Sequence, residues 1–139
     1  MKVYIAGPLF NDGEKAFNLK VDEIVRSCGH ETYLPQRDGG VIAELPDCVG
    51  GMPKYDYVFN LDCRNLAEHD IFLYLCDGRV PDEGASFALG YSYALGKRCV
   101  MYKTDSRAAF DGQDNVMISC ACERCLRNED ELRAFFASV

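Results

Sequence analysis

The sequence is short of positive charge, of histidine and of long apolar runs, and each shortage removes a class of function. Lys and Arg total 15 against 22 Asp and Glu, for a net charge of −7. That deficit argues against nucleic acid or an anionic membrane as the main partner, because phosphate backbones demand clustered Lys and Arg. A small neutral ligand is not disfavoured. The longest apolar runs, such as Ile71–Cys76, are strand-sized and far below a bilayer span. The opening segment Met1–Phe10 has too few apolar residues before Gly7-Pro8 for the core of an export signal, so a cytoplasmic, soluble protein is expected. In that setting the eight cysteines are expected to stay reduced. Neither the Gly-x-x-x-x-Gly-Lys-Ser/Thr nor the Gly-x-Gly-x-x-Gly pattern occurs, so the usual nucleoside triphosphate and dinucleotide motifs are missing. The only two histidines, His30 and His69, have no triad spacing, and Ser86 and Ser92 lack a strained Gly-x-Ser-x-Gly context. A serine hydrolase is not indicated.

What is present reads as one domain. No repeat, low-complexity tract or linker interrupts the 139 residues, of which 48% are hydrophobic and 27% charged. A chain of this size buries roughly two-thirds of its unfolded surface, enough for a core without staples. Lys2–Ala6 predicts a buried strand that ends in a Gly-Pro turn. From Gly13 the period changes: Phe17, Val21, Ile24 and Val25 form a helical stripe, with Gly29 as its stop. Thr32–Pro35 predicts a weaker second strand. Residues 36–53 hold four of the twelve glycines and two of the five prolines, and predict a long loop. Residues 54–67 fit a helix with Tyr55, Val58 and Phe59 on one side, followed by Asp62 and Leu66. Ile71–Cys76 predicts a central strand, Gly84–Leu95 a helix ended by Gly96, and Cys99–Tyr102 a fourth strand. Val116–Ile118 is a candidate fifth strand, and Asn128 with Glu131 predicts the cap of a last helix reaching about Ala137. Alternating strands and helices predict an α/β fold, an open parallel sheet with helices on both faces. Ligands of such sheets bind at the carboxyl ends of the strands, here Ala6–Pro8, Cys76–Gly78 and Tyr102–Thr104.

Four segments carry candidate chemistry. Tyr4–Asn11 places Gly7 after a buried strand, where a ligand can approach the backbone, and Phe10 offers an aromatic wall; Gly-Pro also simply turns a chain. The acidic stretch Asp77–Gly84, with Asp62 and Asp70 upstream, can bind base nitrogens or move protons, or Asp82 and Glu83 can merely suit a helix N-terminus. The small-residue helix Gly84–Gly96 reads by default as close packing on the sheet. Cys120, Cys122 and Cys125 could begin a zinc site with Cys99 or Cys48, but no second Cys-x-x-Cys or His pair answers them. Reduced thiols on a strand and its turn are the expected state, and no cofactor or metal is expected.

In order along the chain, Tyr4–Phe10, Phe59–Asp62, Ala67–Ile71, Asp77-Gly78, Pro81–Phe87 and Leu89–Lys97 resemble the nucleoside 2-deoxyribosyltransferase family. The likeness covers residues 1–104 well and loosens beyond. It implies that residues 1–139 form a single-domain, flavodoxin-like (Rossmann-like) five-stranded parallel sheet. The activity it implies is cleavage of the N-glycosidic bond of 2′-deoxynucleosides and transfer of deoxyribose to another base. In the family a glutamate on the helix after the acidic loop attacks the anomeric carbon and forms a covalent glycosyl-enzyme, a task suited to a carboxylate. By the resemblance Asp62 and Asp82 bind and help protonate the base, Gln36 faces the base, and Asn115 reaches a neighbouring subunit's site in a homo-oligomer. Tyr4, Gly7, Phe10, Asp77, Gly78, Gly84 and Ser86 complete the expected substrate-binding set. The expected partners are 2′-deoxynucleosides and free nucleobases, with no nucleic acid and no membrane.

The sequence departs from that pattern at one position: Ala88 stands where the family's nucleophilic glutamate is expected, directly after Phe87. Alanine is the best helix former, so the carboxylate is removed without harm to the helix. Either the nucleophile has been deliberately replaced to trap substrate, or a natural member has lost or moved the chemistry; the intact remainder of the site favours the first. Glu83 lies five residues earlier and before the helix, and is not expected to substitute. A related branch hydrolyses nucleoside 5′-monophosphates with serine and arginine in its first loop, whereas Gly7–Gly13 has neither. Nucleosides without phosphate therefore fit better. The alternatives are an N-glycosidase of the same superfamily and a catalytically dead nucleoside-binding protein.

Overall fold

In the computed structural model, which describes residues 1–40, 42–109 and 111–139, the chain alternates strand and helix. The main elements are β1 (Lys2–Ala6), α1 (Asp12–Ser27), β2 (Glu31–Tyr33), α2 (Pro35–Asp38), β3 (Cys48–Val49), β4 (Met52–Pro53) and α3 (Lys54–Glu68). After them come β5 (Ile71–Leu75), α4 (Glu83–Ala94), β6 (Arg98–Tyr102), α5 (Val116–Ser119), β7 (Arg124–Leu126) and α6 (Glu129–Ala137). Five strands form one sheet in the order β2-β1-β5-β6-β7, every pair parallel, while β3 and β4 make a separate antiparallel hairpin. This is the expected α/β architecture.

Period-two alternation divides the sheet between two cores. Val3, Ile5, Leu73 and Val100 point to the face covered by α1 and α6, where they meet Val21, Ile24, Leu132 and Phe136. Tyr4, Ala6, Phe72, Tyr74, Cys99 and Met101 point to the opposite face, against Leu66 of α3 and Ala85, Ala88 and Leu89 of α4. Every residue of β5 is buried, as a central parallel strand requires. The small residues of α4 let that helix lie close to the sheet.

Turn chemistry explains most boundaries. Asn11 caps α1 by accepting from the Glu14 N–H while the Glu14 carboxylate returns to the Asn11 N–H, a capping box that starts the helix at Asp12, one residue ahead of Gly13. Asn128 and Glu131 cap α6 as expected. Pro35 opens α2 instead of closing β2, a position its fixed φ and missing N–H allow. The predicted loop 36–53 contains the rest of α2, a single 3-10 turn at Ile42–Glu44, and the β3–β4 hairpin. That hairpin turns on Gly50 and Gly51, both at positive φ.

One expected strand is a helix. Val116–Ile118 lies in α5, where Asn115 accepts from the Met117 N–H, and the fifth strand is instead β7. A strand there would have to bury Val116 or Met117, yet both are exposed and only Ile118 packs inward. No helix among the described residues is long and apolar enough to cross a membrane.

Candidate functional site

The strand order reverses at β1: the chain runs from β1 outward to β2, then returns to place β5, β6 and β7 on the other side. A crevice opens at such a switch point, beyond the carboxyl ends of the strands. Here it is a cleft of about 320 Å³. The sheet contributes Tyr4 and Ala6, and the loop after β1 contributes Gly7, Leu9 and Phe10. Phe59, Asp62, Cys63 and Leu66 share one face of α3, being spaced i, i+3, i+4 and i+7. The third wall is the start of α4, with Asp82, Gly84, Ala85, Phe87 and Ala88. Two carboxylates thus enter a mainly apolar cleft, and no Lys, Arg or His lines it among the described residues.

Gly7 has a structural reason as well as a place in the cleft. A Cβ there would stand 2.7 Å from Leu75 Cβ and 3.1 Å from the Leu75 carbonyl oxygen, so glycine lets β1 and β5 close up beneath the cleft. Asp82 is the N-cap of α4, its Oδ1 accepting from the Ala85 N–H at 2.7 Å. Its carbonyl accepts from the hydroxyls of Ser86 at 2.7 Å and Tyr74 at 3.2 Å. This acid therefore stabilises the helix start and also lines the cleft. Asp62 is half-buried, and that burial raises its carboxyl above the ordinary aspartate value, opposed by hydrogen bonds from the Tyr4 and Tyr33 hydroxyls. The Tyr33 bond to Oδ1 measures 3.2 Å. Burial, followed by the Asp62 charge, in turn pushes both phenols up. Cys63 is raised by burial and by Asp62, so its thiol stays protonated.

The cleft brings together Tyr4, Gly7, Phe10, Asp62, Asp82, Gly84 and Ala88 from the expected set. Ala88 presents only a methyl group there. Glu83 is exposed on the first turn of α4 and does not line the cleft. The remaining expected residues lie elsewhere. Gln36 ties α2 to α1, accepting from Asn18 at 2.9 Å and donating to the Lys15 carbonyl at 3.0 Å. Asp77 accepts from the N–H groups of Thr104 and Asp105, which fastens the loop after β5 to the loop after β6. Gly78 holds φ +123°, and its N–H reaches Asp105. Ser86 supports Asp82 from behind, within the Tyr74 hydroxyl bond at 2.9 Å. Asn115 caps α5 and lines a separate small pocket with Gly78, Arg79 and Pro81. Asp70 accepts from the Lys2 N–H at the start of β1, at the opposite end of that strand from the cleft.

Sequence reasoning missed Phe59, Cys63, Leu66 and Phe87 as wall residues, although helical spacing from Asp62 and adjacency to Ala88 would have found them. It also missed Tyr33, which carries no local signal. All eight cysteines are free thiols, and no group of three His, Cys, Asp or Glu placed to hold a metal occurs among the described residues. Burial pushes Cys122 up to about 12 and Cys76 and Cys99 up to about 11, which favours their protonated thiols.

Comparison with known proteins decides the family. The family model described as nucleoside 2-deoxyribosyltransferase matches residues 3–124, most of the chain. The chain belongs to the nucleoside 2-deoxyribosyltransferase family. None of the curated proteins gives a significant match. Among solved structures, a 2-deoxyribosyltransferase from the psychrotolerant bacterium Bacillus psychrosaccharolyticus superposes with a TM-score of 0.80 at 23% identity, covering 98% of this chain and 96% of that one. A conserved protein from Enterococcus faecalis V583 gives 0.81 at 22% identity, covering 99% and 98%. The CMP N-glycosidase BcmB of Clostridium botulinum gives 0.61 at 15% identity, covering 97% and 98%. At such identities these structures establish the shared fold alone.

Proposed function

We propose that the cleft is a 2′-deoxynucleoside site of the deoxyribosyltransferase type, and that the chain binds such ligands while turning them over extremely slowly. The observation that carries this reading is the convergence of Asp62, Asp82 and Ala88 on one cleft at the switch point. In the active form of such a site a carboxylate at position 88 attacks C1′ as the bond to the base nitrogen breaks. An acidic group protonates the departing base, and an acceptor base then displaces the carboxylate with release of its proton. Asp62 suits the base-facing role, because burial favours its protonated form, which can donate to a ring nitrogen or oxygen. The free oxygen of Asp82 can accept from an amino or imino group. Phe10 and the apolar walls provide stacking surface for a base.

With alanine at position 88 the covalent step has no nucleophile, and Glu83 is too far around the helix start to serve. The missing cation disfavours a 5′-phosphate, since an unpaired dianion in an apolar cleft is costly. This favours nucleosides over the nucleotide substrate class that the name of the CMP N-glycosidase implies. Residues 1–139 are read as one such domain, working in the cytoplasm. The deciding experiment incubates the Ala88→Glu protein with a 2′-deoxynucleoside and a different free base and separates the products by chromatography. Exchange is expected for Ala88→Glu at a rate roughly 10⁴-fold or more above the unaltered protein. Binding without exchange in both would favour the nucleoside-binding alternative. Normal exchange by the unaltered protein would place the nucleophile elsewhere.

A further inference from the structure

Asp62 is held from behind by a residue that the cleft does not contain. Tyr33 ends β2, is buried, and donates its hydroxyl to Asp62 Oδ1 at 3.2 Å. The sheet fixes where that hydroxyl stands. Tyr33 is the register partner of Tyr4 across the β1–β2 pair, and the two rings stack with centroids 5.0 Å apart. His69, at the end of α3, sets its ring edge-on to both, at 5.8 Å from Tyr4 and 5.9 Å from Tyr33. A Cβ at Gly39 would stand 3.3 Å from the Tyr33 hydroxyl, so glycine at that position leaves the phenol the space it occupies.

The strand end is itself fastened. Thr32, beside Tyr33, donates to buried Asp22 of α1, and Arg37 of α2 bonds the same carboxylate at 2.6 Å. Arg37 also reaches Asp38 at 2.7 Å and the Thr32 carbonyl at 3.0 Å. An ion-pair network on the outer edge of the sheet therefore sets the position of a hydroxyl under the cleft.

We propose that Tyr33 is the positioning residue of Asp62: its hydroxyl holds Oδ1 from behind the cleft and so sets how the carboxyl faces a ligand. The groups facing Asp62 are Tyr4 from β1, Tyr33 from β2, Cys63 on its own helix and Asp82 at the start of α4. The two hydroxyls are what favours its charged form against burial. What Asp62 serves rests on the nucleoside reading of the cleft, whereas its control by Tyr33 does not.

The test uses Tyr33→Phe in the otherwise unaltered protein, because phenylalanine keeps the stacked ring and removes only the donor. NMR of ¹³C-labelled aspartate follows the Asp62 carboxyl through a pH titration, and calorimetry follows binding of a 2′-deoxynucleoside. The Asp62 midpoint is expected to move upward, and affinity to fall by roughly five-fold as the carboxyl loses its fixed orientation, the range for one lost hydrogen bond. Asp62→Asn supplies a reciprocal measurement that does not depend on how Tyr33→Phe folds. Removing the nearby negative charge should move the Tyr33 phenol titration downward. An unmoved Asp62 midpoint, or an unmoved Tyr33 titration in the reciprocal variant, overturns the proposal. Shifted titrations in a protein that binds no deoxynucleoside support the positioning role and overturn the nucleoside reading.

Discussion

Asp62 shows how a single residue trades stability for a site. Burial raises its carboxyl above the ordinary value of 3.8, so over that window the native state keeps a proton the unfolded chain has released. Stability therefore falls as pH rises from 3.8 through the raised value, and stays lower above it. Asp62→Asn removes the ionisation while keeping an oxygen for the Tyr33 hydroxyl. The variant is expected to unfold at higher denaturant than the parent near pH 7, with the gain fading at about pH 3, where the acid is neutral in both states. Denaturant curves at the two pH values measure this; a gain that is absent near pH 7, or undiminished in acid, contradicts it. Ala88 is a different kind of residue. It is buried on the inner side of α4, packs against the sheet, and fits its helix without strain. Its importance lies in what it omits, which only the family pattern reveals.

At the scale of elements, the cleft depends on how closely β1 and β5 approach. Gly7→Ala would drive a Cβ to 2.7 Å from Leu75 Cβ, an atom fixed to a fully buried central strand and unable to rotate away. Overpacking of that kind costs about 1–3 kcal/mol, so thermal unfolding should show a clear loss of stability, and nucleoside binding should weaken as the cleft floor shifts. A Gly7→Ala protein with the parent's stability and affinity would show that the strands have slack. The long elements were legible because their signals are strong: β5 is apolar on both faces, α1 carries a helical apolar stripe, and α6 an Asn-x-x-Glu cap. Of the short elements, β2 was read with shifted bounds, and the others were not legible. Val-Met-Ile at 116–118 has strand-forming composition, but the Asn115 side chain captures the Met117 N–H and starts a helical turn. Arg124–Leu126 is a three-residue edge strand with little apolar content, defined by its pairing with β6 and not by its own sequence. The site divides in the same way. Asp62, Asp82 and Ala88 were visible through a pattern along the chain, whereas Tyr33 is visible only through sheet register. Gln36 and Asp77 were read as ligand-facing from the family resemblance, yet here their side chains bond other parts of the chain.

The molecule as a whole exposes several large apolar side chains. Phe59 and Phe87 line the cleft, their ring centroids lie 6.0 Å apart, and they are 56% and 57% exposed, respectively. Tyr55, Tyr93 and Met117 are also exposed, and exposed apolar side chains of this kind can serve as contacts for another chain. Asn115 is the second reason to look beyond one subunit. In its own chain it caps α5 and lines a pocket separate from the cleft, so any part it plays in nucleoside binding requires a neighbour. The expected assembly is a homo-oligomer in which Asn115 of one copy enters the cleft of the next, with sedimentation equilibrium giving a mass above one chain. Simple replacement cannot separate this from folding, because Asn115→Ala also removes a helix cap worth about 1 kcal/mol. Mixing can. One variant carries Ala88→Glu with Asn115→Ala, and a second keeps Asn115 but carries Asp62→Asn with alanine retained at position 88. Neither homo-oligomer should exchange bases efficiently. Subunits unfolded and refolded together should recover exchange, because some clefts then combine the glutamate of the first variant with the asparagine of the second. Mixtures no more active than the sum of their parts would confine the site to a single chain, and a monomer binding nucleoside at full affinity would do the same.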